Sequence, residues 1–245
     1  MFAIFKKEIQ SFFANLTGYL VIGVFLLSSG LFLFVFNEGY NILDSGFADL
    51  KPFFDLAPWI FIFLIPAISM RSYSEEKRIG TMEILQTRPI SSWDLVFGKY
   101  FGGLILVLLA IIPSLIYLLA IGELGQTTYN FDIGATIGSY LGLIFLAASY
   151  TAIGTYASSI TSNQIVAFLI GVFLCFAIYY AFEALATINI FGEFTYLLEY
   201  FGISYHYRSI SRGVLDTRDL IYFVSVIALF LKLTQVNISS AKNRR

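Results

Sequence analysis

The chain has 245 residues, of which 58% are hydrophobic and 13% charged, and its mean hydropathy is +0.79. A soluble domain of this length needs a more highly charged exterior, so the composition excludes that class and predicts an all-α polytopic membrane protein. The formal net charge of −1 identifies no partner class, and no nucleic-acid partner is expected. The single cysteine, Cys175, lies in an apolar run and excludes a disulfide framework or a cysteine metal site.

The first predicted element is a helix at the membrane interface, within residues 1–16. In Phe2–Phe13 the apolar residues recur at helical spacing with lysines between them, which predicts an apolar face in lipid and lysines toward headgroups. A simple extension of the first span is the alternative. No small-residue cleavage site accompanies the first span, so we expect a retained anchor.

Six segments are long and apolar enough to cross a bilayer, which requires about 20 residues per helix. The predicted spans are Thr17–Phe36, Phe53–Met70, Phe97–Ile121, Gly134–Ser158, Ile165–Ala186 and Leu220–Gln235. An even number of spans puts both termini on the same side of the membrane.

The basic residues predict the orientation of these spans. If the termini, residues 71–99 and the loop near Thr161 face the cytoplasm, that side holds 11 of the 15 lysines and arginines, leaving Lys51, Arg208, Arg212 and Arg218 outside. Acidic residues predominate in the outer loops. The positive-inside rule therefore predicts cytoplasmic termini and a cytoplasmic loop at residues 71–96.

That loop carries several signals for helix ends. Ser72 followed by Glu75 matches a capping box, which predicts a helix that begins just after Ser72. Gly80 weakens the helix and predicts a division into two pieces, and Pro89 predicts its end. Ser91, with an acid three residues later, predicts the cap of the third span.

The loop also carries a narrow apolar stripe. Ile79, Met82 and Leu85 recur at three-residue intervals, with charged residues available for the other faces. An ordinary solvated connection is the alternative interpretation. Its weakness is length, because about 25 residues exceed the usual 2–8 of a helix–helix connection.

Two features of the fourth and fifth spans allow alternative interpretations. Gly134, Gly138 and Gly142 recur at four-residue spacing, which predicts close helix packing within the chain or between two copies. A conduit lining is the alternative for this face. Glu183 is an acid inside an apolar run, and it is either a functional residue or a solvated carboxylate near the interface.

The outer segment 187–219 is strongly aromatic, which predicts a pair of half-helices that rest in the outer interface or re-enter the membrane. His206, the single histidine, lies there between two tyrosines, and we expect an interface residue rather than a catalyst or ligand. Gly213 predicts a helix end, and Asp216 predicts the cap of the last span.

Sequence motifs for catalysis are missing. The sequence contains no G-x-x-x-x-G-K-[ST] phosphate loop, no H-E-x-x-H zinc motif and no G-x-S-x-G elbow. We therefore expect no enzymatic activity, no cofactor and no metal site in this chain. Any ATP hydrolysis would have to occur in a partner.

Several segments resemble the ABC-2-type permeases, the membrane subunits of a large class of ABC exporters. The segments that carry the resemblance are Lys7-Glu8 before a Phe-rich stretch, Gly18-Tyr19, Glu75–Leu85 (EEKRIGTMEIL), Arg88–Ser91 (RPIS), Gly98-Lys99 and Ser209–Leu220 (SISRGVLDTRDL). Within the family, the chain is similar to the permease subunit associated with gliding motility in Bacteroidetes.

The resemblance implies one domain of six transmembrane helices, residues 1–245, with a cytoplasmic coupling helix and an outer re-entrant segment. It implies a bacterial inner-membrane protein in contact with lipid, which pairs with itself or a related permease subunit, with or without a periplasmic auxiliary domain. It also implies docking on a separate cytoplasmic ABC ATPase. The implied coupling residues are Glu75, Glu76, Arg78, Ile79, Thr81, Met82, Glu83, Leu85 and Arg88.

The leading hypothesis is a non-catalytic permease subunit that couples ATP hydrolysis by its partner to transport or to gliding motility. The alternative is a structural membrane scaffold of a motility or secretion machine that moves no solute. An ATP-independent carrier or channel is a weaker hypothesis, because it gives the charged loop no role. The residues identify no substrate.

Overall fold

The structure, a computed structural model, describes residues 1–37, 39–46, 48–87, 90–125, 131–187 and 195–243. No strand occurs in these residues, and six helices among them are long and apolar enough to cross a membrane. The predicted all-α polytopic fold is therefore confirmed.

The first half of the chain contains three spans and the helices that precede or join them. These are α1 (Phe2–Ala14), the first span α2 (Thr17–Phe34), α3 (Ile42–Ser45), the second span α4 (Lys51–Ser69), α5 (Arg71–Arg78), α6 (Thr81–Thr87), and the third span α7 (Ser92–Ile111) with its continuation α8 (Ile116–Leu124). A 3₁₀ turn, Ile112–Leu115, joins α7 to α8 at Pro113. Helices α4 and α5 form one continuous rod, Lys51–Arg78, of 28 residues.

The second half contains the other three spans. These are the fourth span α9 (Ile133–Ile160), the fifth span α10 (Gln164–Phe176) with its continuation α11 (Phe182–Thr187), the short helices α12 (Thr195–Tyr200) and α13 (Ile203–Ser211), and the sixth span α14 (Thr217–Asn243). A π-helical segment, Ala177–Ala181, joins α10 to α11.

Both described ends of the chain lie at the same end of the helix bundle, which we call the proximal end. There Asn237 of α14 donates a hydrogen bond of 2.6 Å to the carbonyl of Ser159 at the end of α9. The hydroxyls of Ser239 and Ser92 lie 3.2 Å apart and join α14 to α7. The opposite, distal end carries α3, α12 and α13.

All the spans except the first extend past their predicted ends, whereas the first ends at Phe34, two residues early. The sixth span, predicted as Leu220–Gln235, runs from Thr217 to Asn243. At its start the Asp216 carboxylate accepts a hydrogen bond of 2.9 Å from the backbone N–H of Arg218 and caps the helix. A prediction from hydropathy ends at the last apolar residue, whereas the backbone hydrogen bonds of the helix continue through the polar residues that follow.

Helix α9 is the central element, packed against α4, α7, α10, α13 and α14. Its small residues permit this, since close helix contact needs short side chains. Gly142 lies against the Tyr207 ring of α13, and Gly138 against the α13 backbone at Ile210, whereas Gly134 is exposed near the start of the helix. In the described part of the chain the glycine face is thus covered by α13 rather than by lipid.

His206 is buried, and the expectation of an interface residue is wrong. Its Nδ1 lies 2.7 Å from Oδ1 of Asp219, its Nε2 lies 2.9 Å from the carbonyl oxygen of Tyr200, and its ring stacks on Tyr222 at 3.9 Å. The carboxylate partner was not apparent because it lies 13 residues further along the chain, beyond the turn at Gly213. This contact fastens α13 to the first turn of α14.

We expect Gly138→Ala to destabilise the fold, because its added Cβ would lie 2.5 Å from the backbone oxygen of Ile210. Overpacking of this kind costs about 2 kcal/mol of the free energy of unfolding. The measurement is the thermal unfolding midpoint of the purified protein in detergent. Gly23→Ala is the matched control, because nothing lies within 4 Å of the Cβ that it would add. Equal midpoints for the two variants would contradict the packing of α13 on α9.

Candidate functional site

The proximal loop begins as a continuation of the second span and not as a separately capped helix. Where α4 passes into α5, the hydroxyl of Ser158 accepts hydrogen bonds from the N–H groups of Tyr73 (2.9 Å) and Ser74 (3.1 Å). The same hydroxyl donates to the carbonyl of Met70 at 2.9 Å. A side chain of α9 thus inserts into the hydrogen-bond ladder of the rod. The expected capping box at Ser72 is wrong, because helical backbone already precedes it.

The rod ends where the sequence predicts a break. Gly80 has a φ of +76°, a left-handed conformation that glycine adopts without steric cost, and α6 begins at the next residue. Ser91 caps the third span by accepting a hydrogen bond of 3.3 Å from the backbone N–H of Trp93. Arg88 and Pro89 lie outside the described residues.

The apolar stripe of the loop does not face a single direction. Ile79 is 59% exposed, whereas Met82 is 5% exposed and belongs to the hydrophobic core, with the half-buried Leu85 packed against it. The turn at Gly80 reorients α6, so residues at three-residue spacing before and after the turn face different sides. Ile79 is therefore the member of the stripe that a partner can reach.

A neutral cluster of four charged residues, from three separate segments, lies beneath the loop. Lys99 of α7, only 2% exposed, donates hydrogen bonds to Glu8 of α1 (Nζ–Oε1 2.9 Å) and to the carbonyl of Ser72. Its Nζ also forms an ion pair with Glu76 Oε2 at 3.0 Å and lies 5.0 Å from the centre of the Tyr73 ring. Two hydrogen bonds and one ion pair therefore compensate the buried charge of Lys99. We call Lys7, Glu8, Glu76 and Lys99 the proximal ion cluster.

Lys7 completes the cluster from its exposed side. Its Nζ donates to Glu76 Oε1 at 2.9 Å. Burial lowers the pKa of Lys7, but the hydrogen bond to Glu76 and the charges of Glu76 and Glu8 raise the pKa by more, so the net shift is upward. The stabilisation from a raised lysine pKa is present at pH values below the ordinary lysine pKa. It is lost only as the pH rises through the raised pKa. Lys7 therefore keeps its charge at neutral pH.

Two glycines on α7 bring α1 close enough to form this cluster. A Cβ at Gly98 would lie 2.8 Å from the Cβ of Ile4, and one at Gly102 would lie 2.6 Å from the Cβ of Glu8. The face of α1 that contains Ile4 and Glu8 therefore packs on α7. The predicted helix forms, at Phe2–Ala14, but it presents this face to protein, while Phe2 is 74% exposed.

The expected coupling residues fall into two groups. Arg78, Ile79 and Glu83 are exposed, and Glu75 and Thr81 are half-buried beside them. A cavity of about 370 Å³ lies between this surface and α1. Glu76, Met82 and Leu85 instead face the interior, where they attach the loop to the bundle.

The role of Lys99 was not apparent from the pattern of spans, although an ionisable residue in an apolar helix is a recognised signal. The pairs Lys7-Glu8, Glu75-Glu76 and Gly98-Lys99 resembled family motifs, yet no spacing indicated that they meet. No group of three or more metal-ligating side chains occurs among the described residues. The contacts of the cluster join the loop, α1 and the third span.

We expect Glu76→Gln to lower the free energy of unfolding by about 3 kcal/mol, because it removes a carboxylate that compensates the buried charge of Lys99. Glu75→Gln is the matched control. Its carboxylate makes a partly exposed pair with Arg78 at 3.8 Å, so the expected loss is within about 0.5 kcal/mol. Unfolding of both variants in detergent compares them. Similar losses of unfolding free energy in the two variants would contradict the stabilising role of the proximal ion cluster.

Comparison with known sequences identifies the family. The sequence model of the ABC-2 family transporter protein matches residues 2–238, which is nearly the whole chain. Comparison with individually curated proteins gives no match. The match implies partnership with an ABC ATPase subunit and agrees with the six apolar helices. The chain therefore belongs to the ABC-2 transporter family, as a membrane permease subunit of an ABC transporter.

Proposed function

We propose that a cytoplasmic ABC ATPase docks on the proximal loop and that the second span carries its movement through the membrane. The observation that supports this most directly is Ile79, a largely exposed apolar side chain at the end of a continuous rod of 28 residues. An apolar anchor on a helix end, with charges around it, suits insertion into a groove of a partner.

The exposed charged residues would fix the register of docking. Glu75, Arg78 and Glu83 surround the anchor, and charged groups at the rim of an interface contribute specificity and association rate more than affinity. Thr81 lies beside them at the mouth of the cavity against α1. Arg88 belongs to this proposal through the family resemblance.

The buried residues of the loop would transmit the force. Glu76 connects the rod to α1 and α7, and Met82 connects α6 to the core. With these connections in place, a movement of the docked ATPase displaces the second span, the third span and α1 together. An ordinary solvated loop would bend and would not pass the movement on to the spans.

The proposed location is the bacterial inner membrane, with the proximal end in the cytoplasm. The excess of lysine and arginine at that end supports this orientation. We further propose that two permease subunits pair, as identical or related chains, with lipid around them. The first and fifth spans are only 28% and 22% buried within the chain, so they provide apolar surface for both kinds of contact.

We further propose that the permease serves gliding motility, because the motifs quoted above are similar to those of that subfamily. A scaffold that moves no solute remains the second candidate, since the cluster joins helices without forming a polar pathway. Vesicles that contain the permease and its ATPase would distinguish the two. ATP-dependent movement of lipid or of a soluble reporter across the bilayer would favour a transporter and contradict the scaffold.

We expect Ile79→Glu to abolish co-purification of the ATPase subunit in mild detergent, because a charge replaces the apolar anchor. Leu43→Glu is the matched control, since Leu43 is 56% exposed but lies at the distal end. Both variants should unfold at the wild-type midpoint, because neither side chain is buried. Retention of the ATPase by the Ile79 variant would contradict docking at this loop.

The orientation can be tested by labelling introduced cysteines with a membrane-impermeant maleimide. Arg218→Cys should react in intact cells, whereas Arg78→Cys should react only after the cells are permeabilised, because the positive side faces inward. The natural cysteine, Cys175, is buried, so the unsubstituted chain serves as the unlabelled control. The reverse pattern of labelling would invert the proposed topology.

A further inference from the structure

A second cavity, of about 680 Å³, lies at the distal end, far from the proposed ATPase surface. Its walls come from the start of the rod, the start of α9, the π-helical segment and α13. A volume of this size suits a small-molecule site. The π-helical segment places Tyr179 and Tyr180 at its wall, and such segments occur frequently at functional sites.

The charges that line this cavity balance. Three acids and three bases border it: Asp49, Asp55, Glu183, Lys51, Arg208 and Arg212. Two of the acids are already paired, Asp55 with Lys51 at 2.7 Å and Glu183 with Arg208 at 2.9 Å. A lining with equal numbers of acidic and basic side chains favours a zwitterionic ligand, which carries one charge of each sign.

Arg212 is the group available to bind an anion. Within the described part of the chain, its guanidinium has no hydrogen-bond or ion-pair partner. It lies one helical turn after Arg208, and both arginines also border an adjacent cavity of about 250 Å³. An unpaired guanidinium next to a paired one is suited to a phosphate group.

Aromatic rings provide the complementary site for a cation. Trp59 lies with its ring centre 5.7 Å from that of Tyr179 and 5.7 Å from that of Tyr180. All three residues line the cavity. Faces of tryptophan and tyrosine rings attract ammonium groups, which places the cationic end of a ligand beside these rings.

An apolar outer face of the fifth span adjoins the aromatic wall of the cavity. Phe176 lies in tilted contact with Trp59 and Tyr180, at 6.4 Å and 5.5 Å between ring centres. Phe173, Phe176 and Tyr180 are 68%, 41% and 39% exposed and recur at helical spacing on the same helix. A ligand with its polar end in the cavity can therefore extend acyl chains along this face.

We propose that the distal cavity binds the headgroup of a zwitterionic phospholipid from the adjacent leaflet. Arg212 binds the phosphate, the Trp59–Tyr179 rings receive the ammonium group, and the acyl chains lie along Phe173 and Phe176. The site goes beyond the proposed ATPase docking and does not depend on it, since binding requires only this chain.

The test uses Trp59 fluorescence in a Trp93→Phe background, because these two are the tryptophans of the chain. Purified protein in dodecyl maltoside is titrated with dioctanoyl-phosphatidylethanolamine, and we expect a saturable change. Dioctanoylglycerol, which lacks the headgroup, phosphoethanolamine, which lacks the chains, and dioctanoyl-phosphatidylglycerol, which lacks the ammonium, should each bind about tenfold more weakly.

Arg212→Gln should weaken binding of the phosphatidylethanolamine about tenfold, because one charge-assisted hydrogen bond is lost. The same substitution should leave dioctanoylglycerol unaffected. Arg218→Gln is the matched control, as an exposed arginine at the same end that does not border the cavity. It should match the parent protein.

Several outcomes would overturn the proposal. Equal affinity of the Arg212 and Arg218 variants would contradict the phosphate site. Equal affinity for phosphatidylglycerol and phosphatidylethanolamine would contradict the ammonium site. Tight binding of free phosphoethanolamine would assign the cavity to a soluble ligand. A response that weakens as the protein concentration rises would show that a second copy covers the cavity mouth. None of these results affects ATPase co-purification, so the two proposals can fail separately.

Discussion

The ammonium group of Lys99 determines how the proximal half of this protein is assembled. A buried charge is unfavourable unless acceptors surround it, and Lys99 is nearly inaccessible to solvent. Glu8 and Glu76 must therefore remain beside it, which fixes α1 against the third span and the rod against both. Removal of either carboxylate affects more than one contact, because each helix holds its position partly through the others. The loop at the membrane surface is thereby coupled to the spans by electrostatics as well as by covalent connection.

The sequence was sufficient to predict the features that depend on local composition. Six spans follow from apolar length, the break at Gly80 follows from backbone conformation, and the cap at Ser91 follows from side-chain chemistry. Their causes lie within a few residues of their effects. The capping signal at Ser72 failed for the complementary reason: the backbone there is satisfied by Ser158, 86 positions further along the chain, and no local pattern contains that hydroxyl.

The same limit explains what was missed in the proximal ion cluster and at His206. Glu76 had the pattern of a surface charge, but its partners are on α1 and α7, which approach only because Gly98 and Gly102 carry no side chain. His206 had no neighbour in sequence that could bond to it, and its carboxylate belongs to the next helix. Long-range pairs of this kind depend on the fold and must be read from it.

The continuous rod from Lys51 to Arg78 has a geometric consequence. At 1.5 Å per residue it is about 42 Å long, which exceeds the thickness of a bilayer core. One end carries the exposed Ile79, and the other carries Asp55 and Trp59 in the wall of the distal cavity. Pro58 and Pro66 lie inside the rod and remove two backbone hydrogen bonds, so a displacement at one end passes two points at which the helix can bend before it reaches the other end. The hydroxyl of Ser158 inserts at Met70–Ser74, about one quarter of the length from the Ile79 end, and marks a third such point.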